Sequence, residues 1–136
     1  MSRLFVVGAG GHGAVVAEAA ADSGRWRELV FLDDDELLQT VIDLPVAGRI
    51  DELFALVDQE SEVIVAIGSN RRRLELCDEI AGNGLRLATV IHPRACVSKS
   101  ASISKGTVVC AGVIVNARAS VGRACILNTG STIDHD

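Results

Sequence analysis

Three clusters in this chain combine residue types that do chemistry. Asp134-His135-Asp136 sets an imidazole between two carboxylates, and a solvent-facing histidine is well suited to take a proton from an attacking amine or hydroxyl near neutral pH. His135 falls two positions after Ile133, the last member of an aliphatic repeat described below. That places it on an outer surface near a corner rather than in a core. Neighbouring side chains on a straight strand point to opposite faces, so only a bend brings either carboxylate to the ring. The plain alternative is a surface histidine without a role.

The second cluster, Gly8-Ala9-Gly10-Gly11-His12-Gly13, follows an apolar run over residues 4–7. Gly8, Gly10 and Gly13 have the spacing of the dinucleotide-binding fingerprint, and Asp33 stands twenty residues beyond Gly13. Glycines let backbone N–H groups approach a phosphate, and a helix opening near Gly13 adds its positive end. The same glycines serve a tight turn and close helix packing without any ligand. His12, between Gly11 and Gly13, is either solvated in the loop or in contact with whatever occupies it.

The third cluster is charged. Asp33 and Asp34, in Asp33-Asp34-Asp35-Glu36, either accept hydrogen bonds from the sugar or base of a nucleotide or solvate the end of a strand. Arg71, Arg72 and Arg73 lie in the first turn of a helix, where cations oppose the dipole. That misplacement points Arg73 toward an anion, against the reading of the run as a solvated basic face.

An alternation of strands and helices positions these groups. Residues 4–7, 29–32, 63–67 and 87–91 read as strands, the third a β-branched run suited to the centre of a parallel sheet. Between them lie a helix over 14–22 that stops at Ser23-Gly24, an irregular connection over 39–48, and an amphipathic helix carrying Ile50, Leu53, Phe54 and Val57. A third helix shows the stripe Leu74, Cys77, Ile80 and Ala81, with Ser69 or Asn70 as its cap and Gly82-Asn83-Gly84 as its stop. His92-Pro93 marks the end of this pattern.

A different period then takes over. A large aliphatic residue returns every sixth position at Val97, Ile103, Val109, Val115, Val121, Leu127 and Ile133, each preceded by two positions by Ala95, Ala101, Thr107, Val113, Ala119, Cys125 and Ser131. A six-residue period suits neither an amphipathic helix nor plain strand alternation; it suits a β-helix whose stacked coils share one core. The fold class is therefore a small Rossmann-like parallel α/β domain over residues 1–92 followed by the start of a parallel β-helix over 93–136, with different periods and so different cores.

Composition closes off other classes. With 13 basic against 18 acidic residues, a net charge of -5 and 3% aromatics, the chain has neither the basic footprint nor the stacking platform of a nucleic-acid binder. No apolar run suits a signal peptide or a membrane span, which favours the cytoplasm. Cys77, Cys96, Cys110 and Cys125 form no C-x-x-C pair and read as buried free thiols, and no metal set is expected. The glycine fingerprint raises a nicotinamide oxidoreductase as a rival, but the α/β pattern stops before a second mononucleotide half.

Taken together, Gly8-Ala9-Gly10-Gly11-His12-Gly13, residues 31–34, 66–70, 91–93 and 114–117, and the closing stretch 126–136 resemble the sialic-acid and bacillosamine O/N-acetyltransferase family. The resemblance covers essentially the whole chain. It implies a nucleotide-sugar domain joined to a left-handed parallel β-helix, a homotrimer at full length, and acetyl-CoA as co-substrate. His135 matches the family's general base and Asp136 its acidic partner, Gly8 to Gly13 the diphosphate cradle, His12 a sugar neighbour, and Asp33 and Asp34 nucleoside contacts, with Arg73 a further substrate contact. The implied reaction moves acetyl to the amine of a UDP- or GDP-linked amino sugar in surface glycan synthesis. Family members continue for several coils beyond the His-acid pair, so the sequence resembles a C-terminally truncated member. A non-catalytic nucleotide-sugar-binding module is the alternative.

Overall fold

The computed structural model describes residues 2–136. Its first part is a six-stranded sheet in the order β3-β4-β2-β1-β5-β6. The strands are β1 (Arg3–Val7), β2 (Glu28–Leu32), β3 (Thr40–Val41), β4 (Leu44–Gly48), β5 (Glu62–Val65) and β6 (Arg86–Leu87). All pairings are parallel except β3 with β4. The central strands are apolar without alternation because both faces are covered. Leu4, Val6, Phe31 and Ile64 face helix α1 (Gly11–Ser23), while Phe5, Val7, Val63 and Val65 face α3 (Asn70–Gly82) and Leu53 of the short α2 (Leu53–Leu56).

The second part is built from short parallel strands that the chain visits in rotation. They are β7 (Val90–Ile91), β8 (Cys96–Val97), β9 (Ser102–Ile103), β10 (Val108–Val109), β11 (Ile114–Val115), β12 (Ser120–Val121), β13 (Ile126–Leu127) and β14 (Thr132–Ile133). They form the sheets β13-β10-β7, β14-β11-β8 and β12-β9. Each register partner lies eighteen residues away, as in Val108 with Ile126 and Ser120 with Ser102, so three hexads make one circuit. The second residue of each rung turns inward: Val109 and Val115 are 0% and 1% exposed.

Several sequence expectations change here. The connection over 39–48 is an ordered hairpin, hidden because its turn residues, Ile42 and Asp43, take positive φ without a glycine. The helix expected from Ile50 to Val57 is a 3-10 turn (Ile50–Glu52) and a single α turn, since only Leu53 is deeply buried and Phe54 is 38% exposed. In α3 the buried face carries Arg73 and Leu76 beside Cys77 and Ile80, while Leu74 and Ala81 are exposed. The single strand expected over 87–91 is two: Leu87 pairs with Val63 of the sheet, and Val90 pairs with Val108 of the coils. The cores are not separate either. α1 lies over β7, and the side chains between them join the α1 face of the sheet to the coil interior in one apolar cluster. Of the four thiols only Cys77 and Cys110 are buried; Cys96 takes the outward place of its rung.

Candidate active site

The glycine turn is held from three sides. Gly8 N–H donates to Leu32 O at 2.8 Å, and Ala9 N–H donates to Asp33 Oδ2 at 2.8 Å. Gly8 adopts φ +105°, and a Cβ there would sit 2.7 Å from Ala66 O. At Gly13 a Cβ would sit 2.0 Å from Gly8 O, so these two glycines are required by the turn itself. Gly10 and Gly11 are different, because nothing lies within 4 Å of a Cβ at either position. Gly10 is the N-cap of α1, and among the described residues no side chain caps this helix start. N–H groups left without a side-chain cap at a helix start suit an anion.

His12 belongs to the first turn of α1, not to the loop before it. Its Nε2 is buried without a hydrogen-bond partner among the described residues. Burial, and behind it the charge of Arg73, push its pKa below the ordinary value of 6.5, so the ring is neutral at pH 7. A neutral imidazole can offer Nε2 as donor or acceptor to a ligand.

Asp33 and Asp34 both tie backbone. Asp33 Oδ1 accepts from Asp35 N–H at 2.8 Å in addition to the bond from Ala9, and Asp34 Oδ1 accepts from Ile50 N–H at 3.0 Å. Each still lines a small cavity, of about 210 Å³ with Gly48 and Arg49 for Asp33, and about 130 Å³ with Arg72 and Glu79 for Asp34. A larger cavity, about 490 Å³ and lined by Glu62, Arg86 and Lys105, opens at the other end of the sheet, away from the glycine turn.

Arg73, expected from the sequence to meet an anion, has its guanidinium tied to protein oxygens. It is 4% exposed, and its guanidinium donates to Ala124 O at 2.7 Å, Ile67 O at 2.8 Å, Gly68 O at 3.3 Å and Asn70 Oδ1. Ala124 lies at the corner between β12 and β13, so Arg73 clamps α3 to the coils. A buried cation satisfied in this way by protein oxygens serves the fold.

His135 stands at another corner, the one after β14. Asp136 adopts φ +56°, and this bend brings its carboxylate to the ring: His135 Nδ1 and Asp136 Oδ2 are 2.9 Å apart. Asp134 instead accepts from the backbone N–H of His135 at 2.8 Å. Arg118 meets the same carboxylate with Nε at 2.6 Å and Nη2 at 2.8 Å. This guanidinium, and after it the His135 ring, hold the Asp136 carboxyl below the usual range, so it is ionised and only accepts. Facing an ionised carboxylate, Nδ1–H of His135 donates to Asp136.

A family model described as the PglD N-terminal domain matches residues 3–80, more than half of the chain. The chain belongs to this family. Among its relatives is a Bacillus subtilis protein named UDP-N-acetylbacillosamine N-acetyltransferase. It is 36% identical over 116 residues, which is 82% of this chain and 52% of the relative. The acetyltransferase domain of PglB from Neisseria gonorrhoeae, solved in complex with acetyl coenzyme A, is 43% identical with a TM-score of 0.94, over 98% of this chain and 65% of that one. PerB from Caulobacter crescentus, solved with CoA and GDP-perosamine, is 36% identical with a TM-score of 0.89, over 98% of this chain and 63% of that one. The chain thus spans about half the length of the first relative and just under two thirds of the solved ones.

The sequence singled out His135, Asp136, His12 and the glycines as candidates, and the structure does not bring them into one place. His12 interacts with Arg73, which reaches Ala124 at one corner, whereas His135 shares its corner with Arg118 and Ser100. Arg118 was missed. Its signal was available in the spacing, because it precedes Asp136 by three hexads, one full circuit. Among the described residues no three His, Cys, Asp or Glu side chains gather into a metal set.

Proposed function

We propose that this chain carries the sugar-binding and base-bearing parts of an acetyltransferase that moves acetyl from acetyl-CoA to the amine of a nucleotide-linked amino sugar in glycan synthesis in the cytoplasm. The observation that carries this reading is the 2.9 Å contact of His135 Nδ1 with an ionised Asp136, which assigns proton uptake to Nε2. His135 takes a proton from the amine as its nitrogen bonds the thioester carbon; the C–S bond then breaks, and the proton passes to the leaving thiolate. Holding both substrates beside one imidazole supplies much of the acceleration. Acetyl-CoA is the co-substrate that supplies the activated acetyl group.

The glycine turn from Gly8 to Gly13 takes the diphosphate at the uncapped start of α1, with Gly10 and Gly11 leaving it room. His12 turns its buried Nε2 to the sugar, and Asp33 and Asp34 meet the nucleoside from the cavities they line. We divide the chain into a nucleotide-sugar unit over residues 1–92 and a left-handed β-helix over 93–136, a handedness supported by the family resemblance. The separation of the glycine turn and His135 onto different corners supports a homotrimer, in which the sugar held by one copy meets the His135 of another. The relatives include proteins named for UDP- and GDP-sugars, so both belong in the test.

Isothermal titration with UDP- and GDP-linked amino sugars and with acetyl-CoA, together with a thiol-release assay, tests the reading. Binding of both substrates with thiol release is expected. Sugar-nucleotide binding without acetyl-CoA binding or turnover defeats it and leaves a non-catalytic binding module.

A further inference from the structure

We propose that Arg118 is a positioning residue for His135, acting through Asp136; the inference rests on the reading of His135 as the base. Arg118 and Asp136 are eighteen residues apart, so the circuit stacks them at one corner on successive coils. The stack continues below, where Arg118 N–H donates to Ser100 Oγ at 3.1 Å, again eighteen residues away. Asp136 N–H donates to Ala117 O at 3.1 Å, which seats the bend on the same coil as Arg118. Both Arg118 and Asp136 have positive φ, so each turns its side chain out of the regular rung and toward the other.

The contacts divide the work at one carboxylate. Nε and Nη2 of Arg118 reach Oδ1 and Oδ2 of Asp136 at 2.6 and 2.8 Å, a two-point fork that fixes the plane of the carboxylate as well as its position. His135 Nδ1 reaches Oδ2 at 2.9 Å. One contact from an exposed aspartate leaves that carboxylate free to rotate, and the imidazole with it. With the fork in place, Oδ2 stays where Nδ1–H can donate to it, and the carboxylate, which has no proton, sets the tautomer with the lone pair on Nε2. An ordinary surface ion pair contributes little to stability. The stability of the chain is therefore not the quantity to read, and the state of the ring is. Lysine cannot replace the fork, because an ammonium makes a point contact.

The test uses this chain labelled with nitrogen-15 in its three histidines and read by long-range proton–nitrogen correlation at a pH where the rings are neutral. In the wild type His135 is expected to show Nδ1 protonated and Nε2 bare. In Arg118→Gln the two tautomers mix, Arg118→Lys falls between, and the signals of His12 and His92 stay in place. In the acetyl-transfer assay Arg118→Gln is expected to lower kcat roughly tenfold, part of the usual contribution of a general base, with both KM values unchanged. An unaltered His135 tautomer in Arg118→Gln overturns the proposal. So does a raised KM for acetyl-CoA at unchanged kcat, which assigns Arg118 to a phosphate of the co-substrate. The ring is read without substrate, so absence of turnover in the wild type counts against the acetyltransferase reading alone, while the tautomer still decides the role of Arg118.

Discussion

Replacing Arg73 by methionine separates a clamp from a substrate contact. The aliphatic stem is kept, so packing changes little, but Ala124 O and Ile67 O lose donors at 2.7 and 2.8 Å. A buried acceptor left without its partner costs about 1–3 kcal/mol. The Ala124 bond is buried and the Ile67 bond partly so, which puts the total at about 3 kcal/mol, roughly 2 for the first and 1 for the second. The assay is urea unfolding followed by the fluorescence of Trp26, the single tryptophan, 7% exposed and within the core. A second readout is the titration of His12. Its pKa is lowered first by burial and then by Arg73, so in Arg73→Met it moves upward yet stays below 6.5. A loss smaller than about 0.5 kcal/mol, the range of a surface substitution, with sugar-nucleotide binding abolished would refute the clamp and restore Arg73 to the ligand.

The remaining expectations test the site more directly. Gly13→Ala should lower the melting temperature and abolish nucleotide-sugar binding, since its Cβ meets Gly8 O at 2.0 Å; Gly11→Ala, with open space around it, should keep the fold and weaken binding alone, as calorimetry would show. His135→Ala, in a protein of its relatives' full length, should lower turnover by roughly a hundredfold or more while sugar-nucleotide affinity stays the same; unchanged turnover removes His135 as the base. The folded pKa of His12 lies below its ordinary 6.5, so the unfolded chain binds more protons between those two values, and stability from this group is intact above 6.5 and lost as pH falls through that window. His12→Gln should therefore flatten the dependence of the urea midpoint on pH below 6.5, and an unchanged slope would contradict the burial of the ring.

Much of the site was legible because it is local. The glycine turn, with Gly8 and Gly13 enforced by backbone contacts, is a short-range demand of one strand-to-helix junction. The bend that joins His135 to Asp136 involves adjacent residues, and the sequence stated the condition without showing that Asp136 meets it. What was illegible depends on distant partners. Arg73 looked misplaced at a helix start because the carbonyl it holds, Ala124, is 51 residues further on. The hairpin over β3 and β4 gave no glycine signal, because Ile42 and Asp43 take its positive φ, and its β4 strand pairs with β2 from the preceding part of the chain.

The sequence by itself determined the periods: apolar runs that fit a sheet covered on both faces, and a six-residue repeat that returns the chain to the same face every third hexad. Periods are local, because each inward side chain is chosen by its own rung. Only the tertiary structure decided how the two periods meet. α1 over Val90 and Val108 makes one core of two, and Arg73 fixes α3 to the Ala124 corner. The circuit stacks Arg118 beneath Asp136. These are contacts between surfaces that form only after each unit has folded.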